Sequence, residues 1–458
     1  MTITFRSSAI AVAIAAGWAL PAQAQSAGSM SVQQELATMR AQMAQMAERI
    51  DTLESQLLVA EQKADAASNT AGNAIAVATE VKDNPPVKVT WKGAPKLEGK
   101  GGFSFKPRGR LQYDAGVTNG PDSTGVLDGF GNEVRRARLG VEGDIPGGFG
   151  YKFEIDFGGN STEITDAILT YKDDGLKVSM GQHNPFQGLE ELTSSLSTSF
   201  MERAAFTDAF GFERRVGVSA QYDAGEILVQ GGLFTDNIGE LSNKSWSVDG
   251  RAVYMPKIGE TQLHLGGSVH YSELQDASDA VRYRQRPFAH FTGERFINTG
   301  QVSANSELGF GLEGAAISGP FHVAAEGYWQ KVGRPDMLAD PMFFGGYAEV
   351  GYFLTGGDSR GYKSGTFDRI KPENPVGEGG IGAVQINVRY DYLDLSDAGI
   401  VGGAQNGYGI SVIWTPTDYT RFMMNYGRMA YDNAIFAKSN GDTSYNVDAF
   451  GVRAQVDF

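Results

Sequence analysis

The chain of 458 residues has no cysteine, only five histidines and a formal charge of −15, because acidic side chains outnumber basic ones. Without cysteine it can form no disulfide, no thiolate metal site and no cysteine nucleophile. It also lacks any apolar run of about 18 residues, which argues against a membrane-spanning helix. The excess of carboxylates argues against a general role in binding nucleic acid, because phosphodiester backbones attract cationic surfaces.

The first residues have the pattern of a secretory signal peptide. Arg6 precedes an apolar segment over residues 9–20, and a small-residue Ala-Gln-Ala triplet ends at Ala24. This pattern predicts export, with residues 1–24 removed as a signal peptide. A buried N-terminal helix is the alternative.

A heptad repeat follows the predicted signal peptide. Apolar or small residues recur at alternating spacings of four and three, at Val32, Leu36, Met39, Met43, Met46, Ile50, Leu53, Leu57, Ala60, Ala64 and Ala67. The repeat predicts a coiled-coil helix over residues 25–67. In this register Glu35 faces Arg40 of a neighbouring helix. Arg49 faces Glu54 in the same way, and these opposite charges favour parallel helices in register. A single amphipathic helix packed on its own domain is the alternative.

Residues 68–102 are rich in proline, glycine and lysine, and this composition predicts an extended linker. Cations dominate its second half, where Glu98 is the single acid between Val87 and Tyr113. An acidic chain therefore has a basic segment ahead of the region that follows.

From Phe103 onward apolar and polar residues alternate, as in strands that separate two environments. In "FSFKPRGRLQYD" the aromatic residues and Leu111 fall on one face, whereas Lys106, Arg108 and Arg110 fall on the other. Sixteen segments share this alternation: Phe103–Asp114, Ala137–Ile145, Phe149–Phe157, Ala167–Tyr171, Leu176–Met180, Val216–Tyr222, Ile227–Leu233, Trp246–Tyr254, Leu263–Tyr271, Leu308–Ala316, Phe321–Trp329, Gly346–Leu354, Val384–Tyr392, Tyr408–Trp414, Phe422–Tyr426 and Phe450–Phe458.

Two architectures suit so many amphipathic strands. A soluble barrel or sandwich buries the apolar faces, whereas an outer-membrane barrel turns them toward lipid. Aromatic residues at strand ends, such as Tyr222, Tyr254 and Trp414, suit interfacial girdles. With the predicted export signal, they favour an all-β fold, an antiparallel transmembrane β-barrel of about 16 strands over residues 103–458. A barrel of this size encloses an aqueous channel.

A long segment with few strand signals separates the fifth and sixth candidate strands. It contains "NPFQGLEELTSSLSTSFMERAAF", and it predicts a constriction loop at about 184–212 that folds into the lumen. Loops of this length in compact proteins are usually functional. A surface loop is the alternative.

Several segments resemble the phosphate-selective porin O and P family. They include "RRARLGVEGDIPGGFGYKFEIDF", "GQHNPFQGLEELTSS", "FMERA" and "RRVGVSAQY", and the similarity covers about residues 103–458. The resemblance implies an outer-membrane porin, a homotrimer of sixteen-stranded barrels in contact with lipid, which passes small anions such as phosphate.

The candidate anion-binding or pore-lining residues are cations of lumen parity or of the loop, namely Lys106, Arg108, Arg110, Arg136, Arg138, Arg203 and Arg215. Guanidinium offers phosphate a bidentate fork, and lysine offers a point charge. Salt bridges with carboxylates of the same lumen face are the alternative role for the arginines.

The predicted constriction loop departs from the family pattern, because it carries the acids Glu190, Glu191, Glu202 and Asp208. This balance favours, as an alternative function, a weakly selective or cation-preferring nutrient porin. A structural role is the alternative from another class, in which the coiled coil tethers the barrel to the cell wall. The histidines lie in no nucleophile-elbow or paired-histidine motif, so we predict no enzyme, metal site or cofactor.

Overall fold

The computed structural model describes residues 32–83, 87–126, 128–241, 244–275, 280–335 and 337–458. The predicted signal peptide lies outside these residues. The chain divides into two compact units, Met1–Pro85 and Pro86–Phe458. Within the described residues, no helix combines the length and apolarity needed to span a bilayer.

The described part of the first unit is a single helix, α1 (Val32–Asp83), of 52 residues. The apolar heptad positions, such as Met43 and Ile50, are exposed in the single chain. The helix continues past residue 67, where the prediction ended it, because an alanine-rich stretch retains high helix propensity after the heptads fade. The predicted linker is therefore wrong over its first part.

The second unit opens with a hairpin rather than a linker. Strands β1 (Val87–Lys92) and β2 (Ala94–Gly99) are antiparallel and are joined at Gly93. Gly93 has a φ of 74°, a left-handed conformation that glycine adopts at little cost. A 3₁₀ turn, Lys100–Gly102, leads into the barrel, so the second part of the predicted linker is also ordered.

Sixteen long strands form the barrel wall, as the alternation predicted. They are β3 (Ser104–Asn119), β4 (Gly129–Ile145), β5 (Phe149–Asp156), β6 (Glu163–Asp173), β7 (Leu176–His183), β8 (Arg215–Asp223), β9 (Ile227–Phe234), β10 (Trp246–Tyr254), β12 (Thr261–Glu273), β17 (Ser306–Ser318), β18 (Phe321–Gly333), β19 (Met342–Phe353), β22 (Ala383–Asp397), β23 (Ile400–Thr417), β24 (Thr420–Asp432) and β25 (Tyr445–Asp457). Each pairs antiparallel with its neighbours, and β25 closes the barrel against β3.

Shorter strands lie in the connections: β11 (Lys257–Ile258), β13 (Ala280–Val281), β14 (Arg284–Gln285), β15 (Ile297–Asn298), β16 (Val302–Ser303), β20 (Gly361–Lys363) and β21 (Thr366–Asp368). Two further 3₁₀ turns, Asp122–Thr124 and Gly158–Asn160, follow β3 and β5. Most of the short turns lie at one end of the barrel, which in outer-membrane barrels is the periplasmic end.

The two faces of the wall differ as the sequence pattern requires. On β3, Leu111 and Tyr113 are exposed outward, whereas Gln112 and Asp114 are buried inside. The same alternation exposes Leu139 and Phe153 on the next strands. The apolar faces therefore point out of the barrel, and the charged faces enclose its interior.

Three segments fold inward and fill one side of the interior. The first, residues 184–214, contains the short helices α2 (Leu189–Leu192) and α3 (Ala205–Ala209). We call it the constriction loop. Residues 280–305 enter from the same end, and residues 354–382 enter from the short-turn end. Phe206, Tyr283 and Tyr328 belong to the apolar core that these segments build inside the wall.

Candidate functional site

Among the described residues, two large cavities lie between the inward segments and the wall. The upper cavity, about 680 Å³, is lined by strands β3 to β7, the constriction loop and residues 285–289. The lower cavity, about 350 Å³, lies toward the short-turn end and includes Lys92, Lys106 and Lys371. Arg108, Arg110 and Glu154 line both cavities, so these side chains lie between the two volumes. We call the two cavities together the duct.

Cations form a row along this duct wall. Lys106, Arg108 and Arg110 occupy alternate positions of β3, and residues two apart on a strand are separated by about 7 Å. Across the ladder, Arg110 lies opposite Arg138, and Gln112 lies opposite Arg136. The wall therefore offers several cationic side chains in sequence rather than a single site.

Two of these cations are paired with carboxylates. Arg108 contacts Glu142 at 2.5 Å, and Arg138 contacts Glu154 at 3.1 Å. Arg138 also contacts Asp156, at 2.7 Å. The alternative role predicted for the arginines, salt-bridged lumen lining, therefore applies to these two residues.

Arg110 and Arg136 differ, since neither forms an ion pair with a carboxylate of the described chain. Arg110 donates from Nη1 to Ser195 Oγ of the constriction loop at 2.8 Å, and Arg136 donates to Gln112 Oε1 at 3.0 Å. Lys177, which lines the upper cavity, likewise has no ion pair within the part of the chain that the structure describes. Both arginines use neutral acceptors, so their positive charge is not neutralised locally.

A β-bulge brings a further arginine into the upper cavity. The pairing of β3 with β4 shifts between Gln112 and Tyr113, which leaves Arg135 as an extra residue in β4. A bulge redirects side chains that strict alternation would place outside. Arg135 accordingly lines the cavity and contacts Glu202 at 3.1 Å, which parity alone did not predict.

Hydrogen bonds also hold the constriction loop to other strands of the barrel wall. Its backbone carbonyls accept from buried arginines: Arg421 donates to Leu196, and Arg453 donates to Met201 at 2.6 Å. Arg360, on the inward segment 354–382, donates to the carbonyl of Ser197. Together with the Arg110–Ser195 and Arg135–Glu202 contacts at the duct wall, these bonds fix the path of the loop inside the barrel.

Carboxylates of the same wall accept from the loop's backbone. Glu326 accepts from Leu189 and Glu190 N–H groups at 2.9 and 2.6 Å, at the start of α2. Asp391 accepts from the N–H of Ala205, at the start of α3. Each carboxylate satisfies helix N–H groups that have no partner within the helix.

The acids of the loop are paired, which changes the expected charge of the constriction. Glu190 is buried against Arg389 at 2.9 Å and lines neither cavity. Asp208 lies 3.4 Å from Arg286. These two carboxylates therefore contribute little net negative charge to the duct.

Glu202 and Glu191 do line the upper cavity, and their environments differ. Burial alone would raise the pKa of Glu202, but the guanidinium groups of Arg135 and Arg453 outweigh it and hold the pKa well below its usual range. Burial raises the pKa of Glu191 above its ordinary value, although Arg203 opposes the shift. Arg203 also donates to the carbonyls of Glu190, Glu191 and Thr193, so it braces the loop from within.

The predicted site residues are thus only partly brought together. Lys106, Arg108, Arg110, Arg136, Arg138 and Arg203 line the duct. Arg215 has lumen parity but lines neither cavity, and its nearest carboxylate is Asp236 at 3.9 Å. Further lining cations that the prediction did not include are Arg135, Lys152, Lys177, Arg214, Arg286, Lys92, Arg369 and Lys371. Polar-face alternation marks Lys152 and Lys177, whereas the others depend on a bulge or a loop path.

Comparison with known proteins agrees with this architecture. A family model described as phosphate-selective porin O and P matches residues 105–458. A protein of Caulobacter vibrioides, described as uncharacterized, is 46% identical over 452 residues, which covers 93% of this chain and 90% of that protein.

Several solved structures share the fold. An anion-selective porin from Comamonas acidovorans is 12% identical with a TM-score of 0.51, covering 78% of this chain and 100% of that chain. OmpT of Vibrio cholerae, in its trimer form, is 12% identical with a TM-score of 0.52 and the same coverage of both chains. Pseudomonas putida OprB at high pH is 13% identical with a TM-score of 0.51, covering 78% of this chain and 94% of that chain.

Proposed function

Because the chain belongs to the phosphate-selective porin O and P family of outer-membrane channels, we propose that it is a passive diffusion channel that prefers small anions, including phosphate. Membership of a porin family identifies a channel and not an enzyme. The charges along the duct determine whether the channel prefers anions or cations.

The observation that carries the proposal is the position of Arg110. It lies where the two cavities meet, and its guanidinium donates to a serine hydroxyl instead of a carboxylate. An anion arriving there can take the place of the Ser195 hydroxyl as acceptor and gain a charge-assisted hydrogen bond. A cation at the same point meets an uncompensated positive charge.

The spacing of the other cations supports passage rather than tight retention. Lys106 precedes Arg110 toward the lower cavity, and Arg136 follows it in the upper one. Lys106 and Arg110 are about 14 Å apart along β3, and Arg108 between them divides this distance into two steps of about 7 Å, so an anion can transfer from one cationic group to the next. A channel conducts when binding at each site is favourable but weak enough for the ion to leave.

The competing function, a cation-preferring porin, was suggested by the acidic loop. Glu190, Glu202 and Asp208 have arginine partners, so the loop's formal charge overstates its field in the duct. In the upper cavity, two lining acids, Glu163 and Glu213, have no such pair within the described residues, against three cations, Arg110, Arg136 and Lys177. The unpaired charges therefore favour anions.

Phosphate block of chloride current tests the proposal. Purified protein is reconstituted in planar bilayers in potassium chloride, and phosphate is added to one side. We expect concentration-dependent block of the chloride current, which weakens in Arg110→Gln and persists in the matched control Arg215→Gln. Absence of block in the unmodified protein would show that phosphate is not a preferred anion of the channel. Equal block in Arg110→Gln and Arg215→Gln would show that Arg110 is not part of the phosphate site.

We further propose that the channel is a homotrimer exported with cleavage after Ala24. The predicted heptad seam of α1, which includes Met43 and Ile50, is exposed in the single chain and suits association with copies of itself. OmpT of Vibrio cholerae, which shares the fold, has a trimer form. Attachment of α1 to the cell wall is the alternative role for this helix, and association of α1 with copies of itself does not depend on it.

A further inference from the structure

The β1–β2 hairpin extends the barrel wall beyond its closing strand. Leu97 of β2 pairs with Phe105 of β3, and Val89 of β1 pairs with Leu97. The last pair between β25 and β3 joins Asp457 to Arg110, so the hairpin occupies the side of β3 that β25 has left free. The hairpin therefore adds two strands to the wall at its short-turn end.

The two faces of the hairpin have opposite chemistry. Residues directly opposite in antiparallel strands point to the same face, so Val89 and Leu97 share the outward face of Phe105. Trp91 follows Val89 on this face and is 72% exposed. On the other face, Lys92 lines the lower cavity. This is the same division into an apolar exterior and a cationic interior that the barrel strands show.

The tip of the hairpin lies against one of the short turns of the barrel. A Cβ on Gly93 would lie 2.5 Å from Cε1 of Tyr419, in the turn between β23 and β24. Beside that turn, the rings of Trp414 and Phe422 are 5.4 Å apart and face outward. Trp91 is two residues from Gly93, or about 7 Å along the strand. Trp91 pairs with Pro95, which continues the Leu97–Phe105 register toward Pro107, so it lies beside the outward face of Phe105 and on the far side of Gly93 from that aromatic pair.

From this placement, we propose that the outward face of the hairpin is an interfacial anchor that inserts into the periplasmic leaflet of the outer membrane. Its partner is the glycerol and headgroup region of a phospholipid bilayer. The apolar face is continuous in register with the lipid-facing surface of β3, and tryptophan partitions preferentially to membrane interfaces. The anchor also holds the cationic inner face of the hairpin at the exit of the duct.

Tryptophan fluorescence tests the anchor directly. In the chain that begins at Gln25 after the proposed cleavage, Trp246, Trp329 and Trp414 are replaced by phenylalanine, which leaves Trp91 alone. The protein is reconstituted in phosphatidylcholine vesicles whose bromine atoms lie either near the glycerol backbone or near the acyl-chain ends. We expect emission at shorter wavelength than in denaturant, and stronger quenching by the shallow bromines. A chain that keeps only Trp246, exposed on β10, serves as the positive control.

Quenching by aqueous iodide without quenching by brominated lipid would overturn the proposal, because Trp91 would then face water. Protection from both quenchers would also overturn it, and would indicate a second copy of the chain as the partner.

The absence of cysteine allows an independent measurement that leaves the tryptophans in place. A nitroxide is attached to Val89→Cys, on the outward face, or to the matched control Thr90→Cys, on the inward face. Oxygen concentrates in lipid and a nickel chelate stays in water, so we expect oxygen to relax the label at 89 more strongly and the chelate to relax the label at 90. The same accessibility at both positions would contradict the two-faced hairpin.

Discussion

Replacing Arg110 should change the selectivity of the channel more than replacing any paired arginine. Its Nη1 donates to Ser195 Oγ at 2.8 Å, so an anion that displaces this hydroxyl comes to a similar distance from the guanidinium. At about 4 Å, one unit charge contributes about 1 kcal/mol to the energy of another in water, and about 4 kcal/mol at an effective dielectric constant of 20. The lower value applies to a water-filled duct and corresponds to about a fivefold change in occupancy.

We therefore expect Arg110→Gln to lower the anion-to-cation permeability ratio by about fivefold at low salt. Arg110→Glu changes the charge by two units, so we expect a change of about 2 kcal/mol, which lowers the anion-to-cation permeability ratio roughly 30-fold. Both effects should shrink in 1 M salt, where the Debye length falls to about 3 Å. Reversal potentials under a salt gradient measure the ratio, and Arg215→Gln is the control. An unchanged ratio in Arg110→Glu at low salt would refute the reasoning.

Three other perturbations test the loop and the helix. Glu191→Gln should raise the apparent melting temperature at pH 7. Burial raises the pKa of Glu191 in the folded protein, so its ionised form costs stability once the pH exceeds the pKa of glutamate in the unfolded chain. The difference in melting temperature between the two proteins should vanish below about pH 4, and a lower melting temperature of the variant at pH 7 would contradict this. Arg421→Gln removes a donor to the carbonyl of Leu196 and should give larger, noisier single-channel conductance as the loop loosens, whereas an unchanged trace would show that the other anchors suffice. Ile50→Asp should dissociate the trimer on native gels while Ala41→Asp, outside the predicted seam, does not; equal behaviour of the two would exclude the coiled coil from assembly.

The barrel was predictable because its signal is local. A strand in a wall between lipid and water must alternate, so a few residues such as Lys106, Arg108 and Leu111 suffice to assign its two faces. The constriction loop was also predictable, since a long segment without alternation interrupts the pattern after β7.

The pairing inside the lumen was not predictable from one sequence. Glu190 meets Arg389, and Glu202 meets Arg453, across separations of about 200 residues or more that no local pattern encodes. The bulge that turns Arg135 inward breaks the alternation that the prediction relied on. The inward path of residues 354–382 left a weaker signal, namely aromatic residues such as Tyr362 and Phe367 within a polar connection.

The central claim is that the unpaired cations of the duct make this porin prefer anions. The most direct test is the zero-current potential of the unmodified protein in a planar bilayer, with a tenfold gradient of potassium chloride at low ionic strength. We expect a zero-current potential with the sign of a chloride-selective membrane, and we expect its magnitude to fall as the salt concentration is raised. A potential of the opposite sign would contradict it and would favour the cation-preferring porin.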